Sequence, residues 1–162
     1  MAKINAKKKG NRGELELVKI LCERFGEGKF KRCPSSGAYV GGANRSSSEN
    51  LTEAQKQAFA SDIIAPENFR FSIEHKFYKN PFTVFDLENK SSDINSWFGQ
   101  VSGDAAFAKK EPLLIVKYNG KKRIAFSRNL VDKDYILETK GWYCYWLEDL
   151  ITLEDKFWFK ET

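Results

Sequence analysis

The sequence predicts an α/β fold, a central mixed β-sheet flanked by helices, and three observations carry that prediction. An apolar stripe at helical spacing runs from Asn11 to Phe25; strand-like runs occupy Ser61 to Ala65, Phe69 to Phe77 and Leu113 to Val116; and a segment of helical spacing, Ile94 to Lys109, lies between the strands. With 162 residues, 41% of them hydrophobic, the chain is long enough for one core and short for two, so residues 1-162 are expected to form one domain.

In the first helix, at about 100° per residue, Leu17, Val18, Leu21 and Phe25 share one face, while Glu16, Lys19 and Glu23 share the opposite one. Gly26 and Gly28 end it. Phe30 to Cys33 follows as a short strand. Residues 34-60 read as an inserted segment, a Gly- and Ser-rich loop interrupted by a short helix over Leu51 to Ala60, for which Thr52 is the opening residue. Pro66-Glu67-Asn68 suits a tight connection between the strands on either side, predicted to be antiparallel neighbours. Phe82 to Lys90 fits no single period. Pro112 precedes Leu113-Leu114-Ile115-Val116, a buried strand by composition. Asn119-Gly120 predicts a hairpin into Arg123 to Phe126, and the chain closes on an aromatic strand within Gly141 to Trp146 and a short helix or tail.

A net charge of +5 favours a polyanionic partner. Lys3, Lys7, Lys8, Lys9 and Arg12 crowd the amino terminus, where residues 1-10 read as a basic arm that is either a solvated tail or a contact for phosphates. Three widely spaced cysteines, with no CxxC pair, support neither a disulfide framework nor a structural zinc site. No signal-peptide h-region and no run near the roughly 18 apolar residues of a membrane span are present, so the expectation is a cytoplasmic protein with no membrane partner. No GxxxxGK loop occurs, which argues against ATP dependence.

The chemistry concentrates on Phe71 to Phe77. Read as a strand, it places Phe71, Ile73, His75 and Phe77 on one face and Ser72, Glu74 and Lys76 on the other, so an acid and a base stand side by side. If Ser61 to Ala65 pairs with this strand, Asp62 brings a second carboxylate to the same rim, in a mostly apolar run where a carboxylate rarely sits without a partner. Two converging carboxylates repel unless a cation lies between them, and hard oxygen ligands suit Mg²⁺ or Mn²⁺. A lysine beside that cation can orient water and stabilise charge on a phosphoryl oxygen, as phosphodiester hydrolysis requires. Glu14 sits at the centre of the apolar helix face; it is either an interior partner for a cation or a metal ligand, or else an acid favoured by the dipole of the helix amino end. His75, the one histidine, faces away from Glu74 and reads as a packed or hydrogen-bonded residue.

These residues resemble the PD-(D/E)xK nucleases, and among them the archaeal-type and phage Holliday junction resolvases. The segments that carry the resemblance are Lys9-Gly10-Asn11-Arg12-Gly13-Glu14, Lys31-Arg32-Cys33-Pro34-Ser35-Ser36-Gly37, Ser61-Asp62-Ile63-Ile64-Ala65, Ser72-Ile73-Glu74-His75-Lys76 and Trp97-Phe98-Gly99-Gln100. Ser61 stands where the family name has proline, and the stretch between Arg32 and Asp62 is longer than in compact archaeal resolvases. The resemblance implies a restriction-endonuclease-like core and a nuclease domain. It further implies a metal held by Asp62 and Glu74 with Glu14 in support, Lys76 serving the attacking water, and Arg32 and Gln100 as secondary members of the site.

Its implied substrate is branched or four-way DNA, cut by a homodimer in recombination or repair within a bacterial or phage-infected host cytoplasm. Lys7, Lys8, Lys9, Arg12, Arg32 and Arg45 are the candidate DNA contacts, although a mobile polar loop is the favoured reading around Arg45, and Gly41-Gly42 reads as loop flexibility. Phe82, Phe85, Trp97 and the Trp142 to Trp146 segment are candidates for a dimer seam or for core. A restriction-type or general DNA endonuclease and a catalytically silent DNA-binding module are the alternatives.

Overall fold

The computed structural model describes residues 5–34 and 49–161. Arg45, Gly41-Gly42, Lys3 and the Ser35-Ser36-Gly37 turn lie outside the described residues.

Five strands form the main sheet: β3 (Phe71–Tyr78), β4 (Glu111–Tyr118), β5 (Ile124–Ser127), β6 (Leu137–Thr139) and β7 (Trp142–Trp146), in the order β3-β4-β5-β7-β6. β3 and β4 run parallel along their whole length, from Phe71 opposite Glu111 to Tyr78 opposite Tyr118. The other pairings are antiparallel, so the sheet is mixed. β1 (Lys31–Arg32) and β2 (Ile63–Ile64) make a separate two-stranded antiparallel pair, Arg32 opposite Ile63. β2 is therefore not the ladder partner of β3 that the Pro66-Glu67-Asn68 turn suggested.

Helix α1 (Ala6–Phe25) covers one face of the main sheet, where Leu17, Leu21 and Phe25 pack with Ile73, Leu113, Ile115 and Ala125. On the opposite face, α4 (Asp93–Ala108) sets Ile94, Trp97, Phe98 and Val101 against Leu114, Val116 and Phe126. Alternation along β4 divides its residues between the two cores, which makes a helix–sheet–helix sandwich. α2 (Glu53–Phe59) opens on a capping box between Thr52 and Gln55, and α3 (Val84–Glu88) occupies the segment without a clear period. α5 (Leu147–Leu150) and α6 (Asp155–Trp158) finish the chain, with Trp158 fully buried. No described helix is long and apolar enough to cross a membrane.

Two expectations change. α1 starts at Ala6, capped by the Asn5 side chain, which accepts the Lys7 amide at 3.0 Å; residues 6–10 are thus helix rather than arm, and Lys7, Lys8 and Lys9 sit on its opening turns. β6 was not expected, because its hairpin to β7 turns on Lys140-Gly141 instead of a recognisable Asn-Gly. Both residues have positive φ, 50° and 77°, the conformation that a two-residue turn between twisted strands demands. Asn119-Gly120 does lie in the β4–β5 hairpin, but the connection is longer than a two-residue turn, Val116 being the last residue paired, with Ile124.

Candidate active site

β3 is the edge strand of the main sheet, and the segment before β2 docks on its open side. Ser61 does the joining: its Oγ donates to the Ile73 carbonyl at 2.8 Å and accepts the Ile73 amide at 3.0 Å, while the Asp62 amide donates to the same carbonyl at 2.9 Å. Asp62 then turns its carboxylate along β3, where Oδ2 accepts the His75 amide at 2.7 Å. This side-chain bond takes the place of a strand ladder and delivers Asp62 to the rim occupied by Glu74 and Lys76.

Glu74 and Lys76 project from β3 toward α4. Lys76 Nζ lies 2.6 Å from Glu74 Oε1, and Gln100, midway along α4, bridges them: its Nε2 donates to Glu74 Oε1 at 2.9 Å and its Oε1 accepts from Lys76 Nζ at 3.0 Å. From the other face of the sheet, Glu14 of α1 accepts Arg32 Nε at 2.6 Å, and Arg32 Nη2 reaches Asn11 one turn earlier on the same helix, at 2.7 Å. The register of β1 with β2 pairs Arg32 with Ile63, and the Cys33 amide donates to the Asp62 carbonyl at 2.8 Å. Six side chains from five segments thus meet at one strand edge: Glu14, Arg32, Asp62, Glu74, Lys76 and Gln100.

Asp62 and Glu74 are both buried. Burial, and then the charge of Asp62, push the Glu74 carboxyl up to about 8 in spite of the Lys76 ammonium. Burial followed by Asp62 raises Glu14 as well, with Arg32 and Lys76 opposing. For Lys76, burial works against the charged form, but the neighbouring Glu74 and Asp62 outweigh it and hold the ammonium above its ordinary range. The site is an excess of acid at the limit of what its own cations neutralise. Hard carboxylate oxygens in mutual repulsion fit a divalent cation. Among the described residues no three acid, His or Cys side chains converge into a ready-made metal cage.

Glu14 lies more than two turns into α1, beyond the first turn to which a helix dipole reaches, so the dipole does not explain it; the Arg32 pair does. His75 is packed, its ring buried with both nitrogens lacking a hydrogen-bond partner among the described residues and its basicity pushed down to about 3 by burial, Arg123 and Lys76. Two neighbours escaped sequence reading. Asn11 bonds Arg32, and Asp104 adds its negative charge to the field on Glu74. Their signal was helical spacing, since Asn11 precedes Glu14 by three residues and Asp104 follows Gln100 by four. Trp97 is core, Phe82 is partly buried, and Phe85 stands 85% exposed.

Residues 5–140 match the family described as "Phage putative PDDEXK endonuclease". The chain is 28% identical to Protein D14 of Escherichia phage T5 over 119 residues, 70% of this chain and 65% of the length of that relative. Among solved structures it is similar to Archaeoglobus fulgidus Hjc, a Holliday junction resolvase from an archaeal hyperthermophile, at 15% identity and a TM-score of 0.40 over 84% of this chain and 87% of that one.

Proposed function

The chain belongs to the phage PDDEXK endonuclease family, and from that footing we propose that it hydrolyses DNA phosphodiester bonds at the β3 edge, with branched or four-way DNA as substrate and a homodimer as the working unit. The observation that carries the proposal is the delivery of Asp62 to the edge of the strand bearing Glu74 and Lys76, with the Lys76 ammonium 2.6 Å from Glu74.

In this reading Asp62 and Glu74 hold Mg²⁺ or Mn²⁺, and Glu14, fixed by Arg32, supports them with negative charge. The bound cation supplies Lewis acidity toward the scissile phosphate and a lowered pKa for attacking water. Lys76 orients that water and stabilises negative charge growing on the phosphoryl oxygen. Gln100 holds Lys76 and Glu74 in register, so that neither drifts when the substrate arrives. Branched DNA is favoured by the pattern of motifs shared with resolvases, and a dimer follows because a four-way junction presents two equivalent strands.

The test is incubation of the protein with four-way junction, duplex and single-stranded DNA, with and without Mg²⁺. Paired, symmetric nicks in the junction alone support the whole proposal. Cleavage of plain duplex at the same rate removes the junction preference, and binding without cleavage of any substrate overturns the enzyme in favour of a silent DNA-binding module.

A further inference from the structure

Beside the site, and unused by it, a cleft of about 910 Å³ opens between the first turns of α1 and the ends of β3 and β4, lined by Asn5, Lys8, Lys9, Arg12, Phe77 and Lys117 among others. Two cations share one ring there: Lys9 Nζ stands 4.5 Å from the Phe77 centroid and the Arg12 guanidinium 5.6 Å. Lys79 adds to the field, and partial burial together with Arg12 and Lys79 holds the Lys9 ammonium below its ordinary range.

Little neutralises this charge. Glu16 is the acid in the lining, and its Oε2 is held by Arg123 at 2.7 Å while Arg12 lies at 3.8 Å. Lys117 donates to the main-chain carbonyl of Lys121 in the β4–β5 turn, a partner that leaves its charge intact. Among the described residues no carboxylate pairs with Lys8, Lys9 or Lys117.

The shape and chemistry select the ligand. A concave row of ammonium groups without a carboxylate partner among the described residues, joined by the Arg12 guanidinium that Glu16 only partly neutralises at 3.8 Å, suits successive phosphates, and the cleft begins one strand step, about 3.3 Å, past Lys76, because Phe77 is the next residue of β3. Lys9 and Arg12 cover the Phe77 ring, so it offers no platform on which an unpaired base could stack, which is the means by which single strands are held. We infer that this cleft binds the phosphate backbone of a duplex arm flanking the scissile bond, with Lys9, Arg12 and Lys117 as the residues that touch it. The inference rests on the nuclease reading for the direction in which the arm leaves the site. It adds the β4–β5 end of the sheet to the substrate surface and makes binding there independent of base sequence.

The experiment measures anisotropy of a fluorescein-labelled duplex of about 24 base pairs across a salt series in Ca²⁺, to suppress turnover, with the wild type, Lys9→Ala/Lys117→Ala and Lys9→Arg/Lys117→Arg. Removing one lysine that neutralises a phosphate lowers the slope of log K against log salt by about 0.9, so the alanine pair is expected to lose nearly two units of slope and about tenfold or more in affinity at low salt. The arginine pair keeps both, which separates charge from folding. A wild-type slope in the alanine pair overturns the inference. So does a loss seen with a single strand of the same length while duplex binding is unchanged. A wild type that binds duplex yet cleaves no DNA defeats the nuclease reading and leaves the cleft as a duplex-binding surface.

Discussion

The His75 amide donates to Asp62 Oδ2 at 2.7 Å, so the acid that sequence places twelve residues before Glu74 is held against the strand of Glu74 by a side-chain bond. An amide oxygen can accept the same bond. Asp62→Asn is accordingly expected to fold, bind DNA in EDTA as the wild type does, and lose at least about 100-fold in cleavage, as is Glu74→Gln, because each removes a charged ligand of the proposed metal site without removing a group that binds phosphate. Normal turnover by either variant in a Mg²⁺ nicking assay would show that the site lies elsewhere.

In the proposed mechanism, Lys76→Ala separates holding the metal from using it. Cleavage is expected to fall by about 10²- to 10⁴-fold, the range for removal of a group that stabilises transition-state charge, while Mn²⁺ still binds by titration calorimetry. Gln100→Ala should cost less, since it loosens Glu74 and Lys76 without deleting either. Loss of all Mn²⁺ binding in Lys76→Ala would reassign the lysine to structure.

Two buried groups give the metal-free protein a pH signature with opposite signs. Glu74 is raised to about 8 from 4.5, so the folded state holds a proton that the unfolded chain has lost, and this contribution to stability disappears as pH rises toward and through 8. His75 is lowered to about 3 from 6.5, so its contribution is present above 6.5 and is lost as pH falls. Between about 4.5 and 6.5 the two slopes oppose each other; between 6.5 and 8 Glu74 acts alone. Urea unfolding in EDTA should therefore show stability declining from pH 6.5 to 8, with the decline absent in Glu74→Gln. A rise over that interval in the wild type would contradict the buried, repelled carboxyl.

Gly13 and Gly10 both lie in α1, and they should respond to alanine in opposite directions. A Cβ at Gly13 would stand 2.6 Å from His75 Cε1 and 2.9 Å from Phe77 Cδ1, against rings packed under the helix, whereas no described residue comes within 4 Å of one at Gly10. Overpacking costs about 1–3 kcal/mol and replacing a helical glycine gains up to about 1 kcal/mol. Gly13→Ala is expected to lower the melting temperature and Gly10→Ala to raise it. Equal shifts would mean that α1 does not seat on His75 as described.

Much of the architecture was legible from local pattern. Leu17, Leu21 and Phe25 declared the core face of α1, Leu113 to Val116 declared a buried strand, and Thr52 marked the start of α2. The signals failed where local chemistry was atypical: Lys140-Gly141 makes a tight turn without the usual residues, and Asn5 caps a helix that opens on lysines and a glycine. On the site, strand alternation put Glu74 and Lys76 side by side because the period of two is a local property of backbone geometry.

What the sequence determined by itself was therefore the mixed α/β pattern and the pairing of an acid with a base on one strand face, both consequences of periodicity. Tertiary structure alone decided that Asp62 meets them by bonding to the edge of β3 through Ser61 and its own carboxylate, that Arg32 and not a helix dipole accounts for Glu14, and that Lys9, Arg12 and Lys117 share one cleft. The physical reason is range. Side-chain alternation is set by neighbouring peptide units, whereas the convergence of residues 14, 32, 62, 74 and 100 depends on which sheet edge is left open and on which helix packs against each face.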